Sequence, residues 1–254
     1  MRITHISDTH NHHSKLQEDL PGGDLLIHSG DFTSIGRRHE IEKFIKWFNN
    51  VDNYTNKVFI AGNHDLSFQS EALQRRKADW FDGRKEYEEP AEEGKPYWLS
   101  QILDREFEGL VDNVFYLENE SITIAGVKIW GSPFSPTFGR DWAFNVDRGE
   151  DAAKLWNTIP TDTNIVITHG PMYGTLDVAY NSGLPVGCED LYNRLQIVKP
   201  DLHFCGHVHE GYGYKQVGDM YSFNGASVSL EYQYKNKPIS FDYDFNTKKI
   251  DFNM

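Results

Sequence analysis

Short apolar runs recur along the 254-residue chain: Ile3 to Ser7, Leu25 to Ser29, Val58 to Ala61, Ile165 to Thr168 and Leu202 to Cys205. Runs of this length, bounded by turn residues, read as strands buried on both faces. Between the second and third lies Ile41 to Asn50, where Ile41, Phe44, Ile45 and Phe48 fall at i, i+3, i+4 and i+7 and predict an amphipathic helix. Asp151 to Thr158 and Cys188 to Val198 also read as helices, each ahead of one of the later strands.

Shorter strands fill the rest. Val114 to Leu117, Ser121 to Ile124 and Val127 to Trp130 follow one another, the last two joined by Ala125-Gly126, a hairpin signal. After Gly211 come Tyr212 to Val217, Met220 to Asn224, Ile239 to Phe245 and Lys249 to Phe252. This order predicts an α/β protein with a two-sheet core flanked by helices. The length suits one domain over residues 1–254. The stretch from about 70 to 110 reads as an insertion. Arg75, Arg76, Lys77, Arg84, Lys85 and the acidic residues of 86–93 make it a solvated excursion. Its aromatic residues Trp80, Phe81, Tyr97 and Trp98 leave a lid or an oligomer contact as the alternative.

What stands at the ends of the apolar runs brings in chemistry. The chain presents, in order, Asp8-Thr9-His10, Gly30-Asp31, Gly62-Asn63-His64-Asp65, His169-Gly170 and Gly206-His207-Val208-His209. Strands that deliver Asp, His and Asn as they turn converge those groups at one edge of a sheet. A Gly-Asp after a strand is by itself an ordinary turn; the ordered recurrence after strands is the specific signal. Asp8, His10, Asp31, Asn63, His169, His207 and His209 are too many ligands for one tetrahedral zinc with an open position, and suit two ions sharing one carboxylate. Mixed imidazole, carboxylate and amide donors favour Mn, Fe, Zn or Ni over a thiolate metal. Neither cysteine, Cys188 nor Cys205, belongs to the pattern.

These blocks resemble the calcineurin-like metallophosphoesterases, whose signature is D-x-H, G-D, G-N-H-[DE], a later H-G and G-H-x-H. Ile129-Trp130-Gly131-Ser132-Pro133, Trp142-Ala143-Phe144-Asn145, Val186-Gly187-Cys188 and Glu210-Gly211-Tyr212-Gly213 are similar to segments of the metallophosphoesterase-domain-containing phosphodiesterase branch. The resemblance covers roughly residues 1 to 230. It implies a four-layer α/β/β/α sandwich of two mixed sheets flanked by helices. It implies one metal on Asp8, His10 and His209, a second on Asn63, His169 and His207, and Asp31 bridging. Mn is the ion expected to serve in vitro. His64 is implied to face the scissile phosphate and protonate the leaving oxygen, with Asp65 expected to orient its other nitrogen. Two cations about 3.5 to 4 Å apart would lower the pKa of a shared water and neutralise the phosphoryl oxygens, so no protein nucleophile is needed. A histidine, with an ordinary pKa of about 6.5, suits the proton donor.

The formal net charge of −13 disfavours a long nucleic acid, which calls for a basic surface, and favours a small phosphodiester, cyclic nucleotides among them. A nuclease or phosphomonoesterase on the same site, or a non-catalytic nucleotide- or partner-binding protein, are the alternatives. Nothing resembles a signal peptide, a disulfide framework or a membrane span, so the cytoplasm is expected. His5, His28 and His203, inside the apolar runs, are expected to pack in the core, and His12 and His13 to lie in a solvated loop.

Overall fold

The computed structural model describes residues 1–69, 71–72, 95–103, 109–139 and 141–252. The sheet that opens the chain contains β1 (Arg2–Ile6), β2 (Gly23–Ser29), β3 (Tyr54–Ile60) and β4 (Val114–Tyr116), joined later by β13 (Ile239–Asp244) and β14 (Lys249–Asp251). The second sheet contains β5 (Glu120–Ile124), β6 (Val127–Ser132), β9 (Ile165–Thr168), β10 (Leu202–Cys205), β11 (Gly213–Val217) and β12 (Met220–Asn224). A two-residue pair, β7 (Ser135–Pro136) with β8 (Asn145–Val146), lies apart. Strand order is β14-β13-β1-β2-β3-β4 in the first sheet and β11-β12-β10-β9-β6-β5 in the second. In each sheet four neighbouring strands run parallel, β1-β2-β3-β4 and β12-β10-β9-β6, and the remaining strands add on antiparallel.

The apolar runs are continuous because each sheet is covered on both faces. Ile3, Leu25, Ile27, Val58 and Ile60 point into the space between the sheets and meet Ile129, Ile165, Ile167, Leu202 and Phe204. Their neighbours Ile6, Leu26 and Phe59 point the other way, onto α1 (Arg38–Asn50) through Ile41, Phe44, Ile45 and Phe48. On the far side of the second sheet, Trp130 and Val166 pack against α3 (Glu150–Trp156) and α4 (Glu189–Val198) through Ala152, Trp156, Leu191 and Leu195. Each fully buried Ile, Leu or Val contributes about 1.5–3 kcal/mol relative to exposure. The layers therefore run α1, first sheet, second sheet, α3 with α4: a four-layer α/β/β/α sandwich.

Helix α1 begins three residues before the apolar periodicity does. Its first turn is polar and is set by Glu40, which reaches back to accept from the Arg37 backbone N–H at 2.9 Å. Its last turn is closed by the buried Lys57, whose Nζ donates to the carbonyls of Asn49 (2.9 Å) and Val51 (2.7 Å), groups a helix end leaves without partners. The hairpin between β5 and β6 turns through Ala125 and Gly126, both left-handed at φ 50° and 82°.

Of the expected insertion, the positions of Arg75, Arg76, Lys77, Trp80, Phe81, Arg84, Lys85 and residues 86–93 lie outside the described residues. The end of the stretch is helix α2 (Tyr97–Leu103), and its Trp98 packs on the α1 side of the first sheet, with the Arg38 guanidinium 5.3 Å from its ring centre. His13 departs from the expected solvated loop. It opens a 3-10 turn, His13–Asp19, and is fully buried with its ring between Phe44 (5.7 Å) and Trp47 (5.0 Å) of α1. A contact made by two residues on a distant helix has no mark in the local sequence around His13.

Candidate metal centre and cleft

The parallel strands of both sheets end at a common edge, and there the sheets are stitched together. Ser7, just past β1, forms a parallel bridge with Ala226, just past β12: its N–H donates to the Gly225 carbonyl and its carbonyl accepts from Ser227, each at 2.8 Å. The sequence motifs converge around this seam. Backbone left-handedness concentrates here as well: Asp8 (φ 48°), His10 (φ 37°), Asp31 (φ 55°) and His207 (φ 66°) all occupy a region that costs a non-glycine residue energy. The motif glycines make room for carboxylates. A Cβ on Gly62 would collide with Asp31 Oδ1, and one on Gly206 with Asp8 Oδ2.

All seven donor residues expected from the sequence meet. Asp8, His10 and His209 form one cluster and Asp31, His169 and His207 another, with donor atoms within 4.8 Å of one another in each. Asn63 joins the second: its Oδ1 lies 2.9 Å from His169 Nε2 and 2.7 Å from His207 Nδ1. Asp31 stands between the clusters, its Oδ2 3.3 Å from His169 Nε2 and 3.8 Å from His10 Nε2. Asp8 Oδ1 is 3.4 Å from His209 Nε2, and both Asp8 oxygens accept from the His207 N–H at 3.0 Å.

Three of the histidines are oriented by backbone carbonyls. Nδ1 of His10 faces Thr33 O (3.0 Å), that of His169 faces Ser29 O (2.9 Å) and that of His209 faces Ser229 O (3.0 Å). A carbonyl only accepts, so each Nδ1 carries the proton and each Nε2 is turned toward the carboxylates, the arrangement that presents a histidine to a metal. His10 Nε2 is buried and has no hydrogen-bond partner. An orphaned buried nitrogen facing carboxylates, in a mixed N/O donor set, is what borderline divalent cations complete. The residues present therefore fit two such ions.

Electrostatics divide the histidines. Burial works against charging His169, but the Asp31 carboxylate beside it holds its pKa up, to about 9. His209 is raised as well: burial opposes this, and the Asp8 hydrogen bond and charge prevail. Burial, then the charge of a neighbouring histidine, pushes both His10 (beside His64) and His207 (beside His169) down to about 3. Burial would raise both aspartates, yet the facing histidines hold Asp8 and Asp31 below the usual carboxylate range.

His64 sits at the same cleft with its Nε2 4.0 Å from Asp31 Oδ2 and its backbone N–H donating to Asp31 Oδ1 at 2.7 Å. Its orienting partner is not Asp65, as the sequence suggested, but the Ser34 carbonyl, 2.6 Å from Nδ1. Asp65 points away from the ring. It accepts from the backbones of Asp31 (3.0 Å), Gly62 (2.8 Å) and Thr33 (3.0 Å) and from the Thr33 hydroxyl (2.7 Å), locking two motif loops together. His5, His28 and His203 stay inside the strands, bonded to hydroxyls: His5 to Ser29 (2.8 Å), His28 to Thr9 (3.0 Å), His203 to Thr168 and Ser222 (2.9 Å each).

The clusters open into a cavity of about 470 Å³. Its floor is Asp31, Asn63, His64, His207 and His209; its walls include Phe138, Trp142, Val186, Leu230 and Tyr232. Trp142 lies over His64 with ring centres 4.0 Å apart, Phe138 sits 4.7 Å from His207, and Tyr232 sits 4.8 Å from His10. Phe138, Leu230 and Tyr232 are absent from the motifs that mark the site in the sequence. Isolated aromatic and aliphatic residues in loops carry no signal until the fold gathers them.

A calcineurin-like phosphoesterase family model matches residues 1–211. The chain belongs to that family. Metallophosphoesterase domain-containing protein 1 from Homo sapiens and from Mus musculus each share 38% identity with it over 233 residues, 91% of this chain and 68% of the relative. Among solved structures, the fold resembles TT1561 of Thermus thermophilus, at TM-score 0.60 and 12% identity over 98% of this chain and 96% of that one. The phosphopantetheinyl hydrolase PptH of Mycobacterium tuberculosis matches at TM-score 0.50 and 15% identity over 87% of each chain. Family membership makes this metallophosphoesterase a candidate hydrolase with a two-metal centre.

Proposed function

We propose that this protein is a two-metal phosphodiesterase acting on small phosphodiesters, cyclic nucleotides among the candidates. One observation carries the reading: Asp31 stands between the two donor clusters, its Oδ2 3.3 Å from His169 Nε2 and 3.8 Å from His10 Nε2, and His64 Nε2 faces that same carboxylate from the cleft side. Two divalent cations, when bound, would polarise the phosphoryl oxygens and lower the pKa of a water held between them. Asp8, His10 and His209 would hold one, Asn63, His169 and His207 the other, and Asp31 both. The chain itself supplies the proton. Because the Ser34 carbonyl fixes a proton on His64 Nδ1, a second proton can only sit on Nε2, which faces the cleft and can pass it to a leaving oxygen.

The small-substrate part rests on the cleft and the charge. A cavity of about 470 Å³ with apolar walls admits a compact ester, and a chain of net charge −13 offers no broad cationic track for a polyanion. Among the described residues no helix is long and apolar enough to cross a membrane, and both cysteines are free and buried, which supports a reducing compartment, the cytoplasm in this reading.

The test is elemental analysis of the purified protein, then turnover of a diester and a monoester reporter in chelator and after adding back Mn, Fe, Zn or Ni. Diester turnover that vanishes in chelator and returns with metal is expected. Full turnover in excess chelator would overturn the two-metal reading, and a preference for the monoester would overturn the diester assignment.

A further inference from the structure

The carbonyl that orients His64 belongs to Ser34, an exposed residue in the turn that joins β2 to α1. An exposed turn is a poor place to fix a catalytic group unless something holds it. Two sets of hydrogen bonds do. On the cleft side, Asp65 takes Thr33, and the Thr33 hydroxyl in turn accepts from the Gly36 N–H at 2.8 Å. On the opposite side, Asn11 Nδ2 donates to Ser34 Oγ at 2.8 Å and to Glu40 Oε1 at 2.8 Å. Glu40 is 5% exposed, and its other oxygen accepts from the N–H groups of Arg37 (2.9 Å) and Ile35 (3.4 Å).

The Asn11 amide can face only one way, because a carboxylate only accepts and so must meet the NH2 group. Asn11 itself is held left-handed at φ 67°, with its N–H donating to the Phe32 carbonyl at 3.0 Å. The result is a hydrogen-bonded path from a buried carboxylate in the first turn of α1, through Asn11 and Ser34, to the ring of His64. Asn11 follows the donor His10 directly, yet its side chain touches none of the seven clustered residues through these bonds.

We propose that Asn11 and Glu40 are positioning residues for His64. They hold the Ser34 carbonyl where it keeps a proton on Nδ1 and aims Nε2 at the leaving oxygen. This rests on the general-acid reading of His64. A loosened turn lets the ring rotate, and a poorly aimed acid loses rate in proportion to how much the leaving group needs its proton.

The experiment compares two diesters that differ only in the leaving group, a 4-nitrophenol and an alkyl alcohol, across His64→Ala, Asn11→Ala, Ser34→Ala and the reversed pair Asn11→Asp with Glu40→Gln. The readout is the ratio of the two rates in each metal-loaded variant, with metal content measured on the same preparation. The His64 change should raise the nitrophenyl-to-alkyl ratio most. Asn11→Ala should raise it roughly tenfold or more, a part of the 10²- to 10⁴-fold that a general acid supplies. Ser34→Ala, at an exposed position that folding tolerates, should move it in the same direction by less. Asn11→Asp alone sets a carboxylate against Glu40 and should raise the ratio. Adding Glu40→Gln reverses donor and acceptor across the same contact and should bring it back.

If the His64 variant leaves the ratio unchanged, the general-acid reading fails and the positioning role falls with it. If His64→Ala raises the ratio while Asn11→Ala and Ser34→Ala do not, only the positioning role is overturned. Equal loss on both substrates with metal missing would make Asn11 a support of His10, and would also overturn it.

Discussion

The interiors of the strands and their ends both bury histidines, in opposite electrostatic surroundings. Inside, His28 and His203 are bonded to the hydroxyls of Thr9, Thr168 and Ser222, and burial pushes both down to about 3. At the ends, His169 and His209 are raised even though burial opposes it, because Asp31 and Asp8 face them at 3.3 and 3.4 Å. Burial sets the direction unless a carboxylate faces the ring this closely: His10, 3.8 Å from Asp31, is still pushed down to about 3. A hydroxyl satisfies an imidazole without charging it, whereas a carboxylate makes a buried imidazole a proton store that a cation can displace.

That contrast can be broken at its strongest point first. Asp31→Asn removes the carboxylate that stands between the two clusters. We expect the largest loss of diester turnover, beyond the roughly 10⁴-fold that bounds a general acid, together with lost metal in elemental analysis. Retention of both ions with near-normal turnover would show that Asp31 does not bridge. Next comes His64→Ala, which should leave metal content intact while lowering kcat on an alkyl leaving group by about 10²- to 10⁴-fold.

A smaller effect concerns protons. His169 in the metal-free protein holds its proton up to a pKa of about 9, and a metal can bind only the deprotonated ring. Below that pH each binding event must expel the proton. Affinity for Mn should therefore fall about tenfold per pH unit as pH drops through the range beneath 9, and titration calorimetry should find about one proton from His169 released per binding event across that range. An affinity independent of pH between 6 and 8 would contradict the raised state.

The least effect on turnover should come from His13, which belongs with the strand interiors in character. Burial, then the nearby Lys43 and His12 charges, lower its pKa to about 4, and both ring nitrogens lack partners among the described residues. Above pH 6.5 both folded and unfolded forms are neutral and stability is full. As pH falls toward 4, only the unfolded chain takes up the proton, so stability drops, by about 3 kcal/mol from this group. His13→Phe should flatten that part of the profile between pH 6.5 and 4, read from urea midpoints, without changing diester turnover at pH 7.

The convergence of the seven donor residues could be read from the chain because it depends on strands whose ends carry them, and strand order follows from apolar runs. The two-sheet core was legible for the same reason. The start of α1 was not, since its first turn is made by Glu40 and not by apolar spacing. Asp65 is the partner a sequence suggests for His64, because an adjacent carboxylate is visible there and a backbone carbonyl of Ser34 is not. Burial of His13 depends on Phe44 and Trp47, thirty residues and more away in the chain. What sequence hides here is contact between segments that share no periodicity.

The seam at Ser7 and Ala226 also governs time. Asp8 and His207, joined by hydrogen bonds, stand 199 residues apart, and a ribosome adding about 5–20 residues per second needs roughly 10–40 s to make the second after the first. Through that interval the N-terminal sheet can assemble β1 to β4, yet its left-handed Asp8 and Asp31 face open solvent with no histidine from the second sheet to answer them. A nascent chain therefore lacks three of the seven donor residues, His169, His207 and His209, until the second sheet is being made, and the donor set is complete only once His209 has been added.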